Sequence, residues 1–218
     1  MLTGGQTSGN AVSTLKQKQA YQPDSLQLFH MRVNVIPHML VRIDAARQAL
    51  ELEKKYTSLD YIEVFRSAVP PQRVLFTVLG GYTQPVISIA ALQCRVLLEF
   101  LGLTASKRDR GLLVSTKDRR LDGDIGIEHY VDVNGQPLSR LTRAQALASI
   151  ANPSRAEQAW TTVIEFTNQR LAHATDDQRL GGKSVRPHLY NAFRTVPQLV
   201  EQAFIERAEQ PTQPRQLQ

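Results

Sequence analysis

The sequence predicts a mainly α domain, an antiparallel helical bundle with an irregular excursion and a small hairpin at about residues 104–140. Three observations predict it. Apolar residues recur at helical spacing over most of 23–208, strong helix formers fill several of the gaps between them, and no internal repeat or heptad run competes with that pattern. With 42% hydrophobic and 21% charged residues, the 218-residue chain lies near the globular averages, which excludes a disordered protein and permits one domain with tails.

Residues 1–22 are rich in Gly, Ser, Thr and Gln and read as a flexible N-terminal tail; 209–218 read as a flexible C-terminal tail. Between them, 23–208 form a single helical domain. Leu26, Phe29, Val33, Leu40, Val41, Ile43 and Leu50 give one or two helices, interrupted or kinked near Pro37, and the run 45–55 consists of good helix formers. The pattern therefore predicts a helix over 38–55. Tyr61 to Ala68 is expected to add a turn or two of helix before Pro70-Pro71, whereas periodicity leaves 74–79 open between strand and buried helix.

Residues 84–102 place Val86, Ile89, Ala90, Cys94, Leu97, Leu98 and Leu101 around most of a cylinder, which predicts a helix at the centre of the bundle. Arg95 and Glu99 are one turn apart and can pair. The excursion follows, polar and glycine-containing, with Ile127–Val133 expected as a strand leading into an Asn134-Gly135 turn. Thr142 then caps a helix from Arg143 to Ile150, and Ser154 caps an amphipathic helix from Arg155 to about His173. A Gly181-Gly182 loop separates this from a last helix, 189–208, in which Pro197 should cause a kink or break.

Charge and cysteine content bound the function. The net charge of +6 comes from 19 Arg and 7 Lys against 20 acids, and Arg is preferred where phosphate or carboxylate is gripped by two bonds at once. Such a balance permits a nucleic-acid partner without requiring one. The lone Cys94 excludes an intramolecular disulfide and a Cys-based zinc site. With no basic, apolar leader at the N-terminus, a cytoplasmic location is expected. The most apolar window, 85–103, contains Gln93, Arg95 and Glu99, so it reads as a buried helix and no membrane association is expected.

Thr167-Asn168-Gln169-Arg170-Leu171-Ala172-His173 is the most informative phrase. A His in the last turn of a helix is favoured as imidazolium by the carbonyl ends, and Arg170, three residues earlier, lies about 60° around the same face. An Arg to hold phosphate and a His to transfer a proton form a minimal set for cleavage beside a 2′-hydroxyl. Spacing alone leaves this open against a solvated Arg170 and a His173 that merely closes the helix.

With these residues the chain resembles the HEPN superfamily, all-α domains of prokaryotic defence and toxin–antitoxin ribonucleases. Their signature is an Arg followed four to six residues later by a His at the end of a late helix; Asn168 to His173 matches the tail of that phrase, and Arg95-Val96-Leu97-Leu98-Glu99 is similar to the helix packed beside it. The resemblance spans about 38–205 and implies a metal-independent, cofactor-free endoribonuclease, or a relative of one, in which two subunits converge through the face carrying Asn168, Arg170 and His173. In such an enzyme His173 would transfer the proton and Arg170 would contact phosphate. Asn168 occupies the place five before His173 where active members carry Arg, which implies a degenerate, non-catalytic member.

Lys107, Arg108, Arg110, Lys117, Arg119 and Arg120 make a second candidate: six cations against two acids within 107–120, suited to a phosphate backbone or to a solvated loop. No aromatic lies among them to stack on bases. Asp122 to His129 gathers three carboxylates and a His, but Gly126 falls fifth and Val133 twelfth in the frame of a calcium loop, so no metal site is expected. Gly181-Gly182-Lys183-Ser184 lacks the first glycine of a phosphate-binding loop, since Asp177 stands in its place. His30, His38, His188 and Cys94 read as structural. The expected function is thus a HEPN-like helical domain in RNA-related or defence biology, most simply non-catalytic and homodimeric; the alternative is a helical interaction protein that binds a protein or nucleic acid through 107–120.

Overall fold

The structure, a computed structural model, describes residues 21–116, 121, 123–171 and 179–209, the side chains of 170 and 171 excepted. It is mainly α. Helix α1, Ser25–His30, opens on a reciprocal cap: the Asp24 carboxylate accepts from the Gln27 amide at 2.7 Å and the Gln27 side chain accepts from the Asp24 amide at 2.8 Å. A π-helical turn, Met31–Val35, carries the chain without interruption into α2, Ile36–Lys55. Of the two outcomes expected near Pro37, an interruption or a kink, the interruption is absent. A proline clashes with the carbonyl four residues back, and the widened turn just before it relieves that clash while the helix runs on.

Tyr61–Arg66 is strand β1, where a helical turn was expected, and it pairs antiparallel with β2, Gln72–Val78, which resolves 74–79 as largely strand. Ile62, Val64 and Phe65 are β-branched or aromatic, and strand pairing outweighs any helical tendency in so short a run. β2 leads directly into α3, Leu79–Phe100, longer by five residues at its start than its apolar pattern suggested. The amides of Leu79 and Gly80 donate to the carbonyls of Asp60 at 2.7 Å and Ser58 at 2.8 Å, so the turn before β1 caps α3 by backbone alone. Gly80 permits this approach, because a Cβ there would meet Ser58 at 3.1 Å.

α3 is the spine of the molecule. It packs against α2 along much of its length and against the later helices α5, Pro153–Phe166, and α6, Arg186–Val200. Ile43, Ala46 and Leu50 of α2, Ile87, Ala90, Cys94, Leu97 and Leu98 of α3, Trp160 and Val163 of α5, and Leu189, Phe193 and Val196 of α6 form one continuous core. The Trp160 indole donates to Thr195 Oγ1 at 2.8 Å, so the largest core side chain leaves no polar group unpaired. Pro197 lies inside α6, which runs on past it and continues as a π-helical turn, Glu201–Ile205.

The excursion is tied down at its root. Strand β3, Leu103–Ala105, pairs with β4, Leu113–Ser115. The strand expected over 127–133 is instead a 3-10 turn, Ile127–His129, followed by a single bridge from Val131 to Pro137 around the Asn134-Gly135 turn. There the Asp132 side chain accepts from the amides of Asn134 and Gln136 at 2.8 and 2.9 Å, beside backbone bonds from Asp132 N to the Gln136 carbonyl and from Leu138 N to the Tyr130 carbonyl, both 2.8 Å. Thr142 caps the short helix α4, Arg143–Ala148, as its sequence predicts, while α5 is capped by Asn152 rather than Ser154, with Pro153 in its first turn. The Gly181-Gly182 turn joins β5, Arg179–Leu180, to β6, Lys183–Ser184, and both glycines adopt positive φ as a tight hairpin requires. No described helix is long and apolar enough to cross a membrane.

Candidate phosphate-binding cleft

α5 passes into a π-helical turn, Thr167–Leu171, that packs against α3. Thr167 is buried and donates to the carbonyls of Val163 at 2.9 Å and Ile164 at 3.0 Å, a bond back to the preceding turn that fits the widened winding there. Asn168 and Gln169 are exposed. His173 and the Arg170 side chain lie outside the described residues, so the geometry of the Arg-His phrase does too. The chain then has only 172–178 to cross before it reaches Arg179, and Arg179 lines a cavity.

That cavity is an open cleft of about 580 Å³. Ser58 comes from the turn before β1, Gly80 and Gln84 from the start of α3, Arg179 and Ser184 from the β5–β6 hairpin, and Arg186 from the start of α6. Arg186 also walls a second cavity of about 370 Å³, whose other lining groups include Lys54, Arg155 and Tyr190. Its guanidinium is fixed from below. Glu53, whose side chain is 2% exposed, pairs with Arg186 Nη2 at 2.6 Å through one oxygen, and its other oxygen accepts from Thr83 Oγ1 and from Gln84 Nε2 at 2.9 Å. Glu53 Oε2 is buried and accepts no hydrogen bond, so the ion pair with Arg186 is what offsets its charge, and that pairing holds Arg186 between the two cavities. Lys54 is steered similarly: its ammonium sits 4.0 Å above the Tyr190 ring and 2.7 Å from Glu51 Oε1.

Lys54, Arg155, Arg179 and Arg186 thus surround two adjoining cavities, opposed by Glu51 and Glu53. His188, two residues beyond Arg186, titrates below its ordinary value because of burial and the positive charge of Arg155. Among the described residues lining the two cavities there is no histidine and no carboxylate. The described lining supplies guanidinium groups, an ammonium and hydroxyls, donors that grip phosphate oxygens.

No family profile, no curated protein and no solved structure matches this chain.

The basic excursion stands apart from the cleft. Lys107, Arg108 and Arg110 are exposed in the β3–β4 loop, where Ser106 Oγ accepts from the amides of Arg108 and Asp109; Lys117, Arg119 and Arg120 lie outside the described residues. This loop springs from the C-terminal end of α3, the cleft opens at its N-terminal end, and a helix of 22 residues spans about 33 Å. The three described cations, Lys107, Arg108 and Arg110, therefore do not join the cleft. Among those residues no group of three or more His, Cys, Asp or Glu could hold a metal ion. Glu53, Lys54, Arg155, Arg179, Arg186 and Tyr190 went unrecognised in the sequence because they converge from separate segments; the only local signal was the pair Arg179 and Arg186 flanking the Gly181-Gly182 turn.

Proposed function

We propose that this chain is a HEPN-like helical bundle with an RNA-related role, a non-catalytic member that holds RNA by its phosphates. The observation that carries the reading is the pair of adjoining cavities ringed by Lys54, Arg155, Arg179 and Arg186, with neither a histidine nor a carboxylate among the described lining residues. Two further features support it. Asn168 replaces the Arg of active relatives on an exposed turn at the end of α5, and the chain runs from that turn into the cleft wall within eight residues. In this reading Arg155, Arg179 and Arg186 contact phosphates while Glu53 positions Arg186, and His173 has no scissile phosphate to act on without an Arg at position 168.

The test is incubation of the full chain with total RNA, beside His173→Ala and the double variant Arg155→Ala/Arg179→Ala. RNA should be retained and remain intact with the wild type and His173→Ala, and retention should fall at least about tenfold with the double variant. Cleavage by the wild type that disappears in His173→Ala would overturn the non-catalytic assignment, and failure to retain RNA at low salt would overturn RNA binding itself. A second reading has its own observation: Lys107, Arg108 and Arg110 are exposed at the far end of α3 and could hold a partner without the cleft. Replacing those three by Ser distinguishes the two, because retention through the cleft survives that change.

A further inference from the structure

α3 is apolar over most of its circumference, with one polar strip of Gln84, Ser88, Arg95 and Glu99. Its inward face buries Ile87, Ala90, Ala91, Cys94, Leu97 and Leu98. Its outward face carries Tyr82, Pro85, Ile89, Leu92 and Val96, spaced three, four, three and four residues apart, and Ile89 is 50% exposed, Leu92 44%, and Tyr82 and Val96 37% each. No charged residue occurs from Leu79 to Cys94, and the Arg95–Glu99 pair, 2.8 Å apart, closes the stripe at one end. The solvent face of a surface helix is ordinarily polar. A stripe repeating every 3.5 residues is the surface that a second helix packs into at a shallow crossing angle.

We propose that two copies of this chain associate through this face of α3, with the two helices antiparallel about a two-fold axis. A two-fold midway between Ile89 and Leu92 sets Ile89 against Leu92 of the other copy, Pro85 against Val96, and Tyr82 against Glu99. The stripe is thus its own complement. Charge selects the direction: antiparallel packing sets the Arg95–Glu99 end against the uncharged first turns of the other α3, whereas parallel packing brings Arg95 beside Arg95 and Glu99 beside Glu99.

Area selects a partner of this kind as well. The seam from Tyr82 to Val96 is about 21 Å long, short of the roughly 800 Å² per partner that a stable interface buries. Antiparallel packing brings the far end of the second α3 to the start of the first, where the β1–β2 hairpin enters it. Tyr61, Phe65, Val74 and Phe76 of that hairpin are more than half exposed, and a lone two-stranded hairpin is marginal in water. The hairpin supplies the missing area, and the second copy supplies the packing that the hairpin lacks. The interface therefore lies on α3 and the hairpin, not on the exposed Asn168 face at the end of α5.

Sedimentation velocity of the full chain, without RNA, tests this independently of the function proposed above. The wild type should sediment at twice the 24.4 kDa chain mass at tens of micromolar, and Ile89→Asp/Leu92→Asp should raise the dissociation constant by at least about a hundredfold with an unchanged helical circular dichroism spectrum. Should that variant lose its helical signal, Ile89→Ser/Leu92→Ser gives the same readout with no charge buried. In a Cys94→Ser background, mixed Ile89→Cys and Leu92→Cys chains should cross-link to each other more than to themselves. A monomeric wild type, or a dimer that survives the folded variant, overturns the proposal; preferential Ile89→Cys self-linking overturns the antiparallel register.

Discussion

Glu53 shows how a residue's surroundings decide its role. In the run Glu51-Leu52-Glu53-Lys54-Lys55 it looks like one more solvated charge, yet its side chain is 2% exposed and holds Arg186, Thr83 and Gln84. Arg186→Ala strands that carboxylate, and since Arg186 itself is 44% exposed, the expected loss is about 2–3 kcal/mol, below the full cost of breaking a buried pair. Urea unfolding measures it, and an unchanged midpoint contradicts the anchoring role. Glu157 makes a similar cross-link: Arg143 binds both its oxygens at 2.6 Å and the Leu113 amide donates at 2.9 Å. Arg143 first, and the Leu113 amide after it, hold this carboxyl below its ordinary range, against the opposing effect of burial. A depressed carboxyl contributes stability that is fully present above the unfolded value and is lost as pH falls through the folded one. Unfolding midpoints between pH 5 and pH 3 should therefore fall less steeply in Glu157→Gln than in the wild type, and parallel slopes would remove Glu157 from the acid limb.

At the scale of elements, the helices are where sequence patterning speaks most clearly. α2, α3, α5 and α6 follow apolar periodicity, and the Thr142 cap and the Arg95–Glu99 pair lie where spacing predicts them. The prolines do not interrupt, because local π-helical winding before Pro37 absorbs the first clash and α6 continues past Pro197. The β1–β2 hairpin was illegible for a physical reason. Apolar groups occupy both of its faces, so the alternation that marks a half-buried strand is missing. The excursion is governed by α3's end, where Gly102 has φ +87° and its carbonyl accepts from Thr116 N at 2.7 Å. A Cβ at Gly102 would lie 2.5 Å from Arg140 Cβ, and Arg140 in turn reaches Glu128 at 2.7 Å and the Thr116 carbonyl at 3.1 Å. Gly102→Ala should accordingly cost about 2–3 kcal/mol, from left-handed strain together with the displaced Arg140. The thermal midpoint reports it, and a neutral effect would mean that the root of the excursion is not fixed as described.

Over the whole molecule, +4 of the +6 falls within 107–120, whose described cations lie beyond the end of α3, while the cleft cations at its start are opposed by Glu51 and Glu53. The Asn168–His173 phrase was readable because a motif is local. The cleft was not, since its groups come from the turn at Ser58, from α2, α3 and α5, and from the segment 179–190, and only folding brings them together. The α3 stripe was half readable: the sequence shows a helix apolar around most of its circumference, but two heptads are too few to mark a seam until exposure reveals which face is uncovered. If the cleft holds RNA by phosphates, retention should weaken steeply with salt, and the Arg155→Ala/Arg179→Ala variant should show a slope shallower by about two ion equivalents. The most direct measurement titrates end-labelled single-stranded RNA with the full chain over a series of salt concentrations and resolves the same samples on a denaturing gel. Binding that falls steeply with salt, with every RNA molecule still full length, is the expected result; shortened RNA that His173→Ala leaves intact, or no binding at the lowest salt, contradicts it.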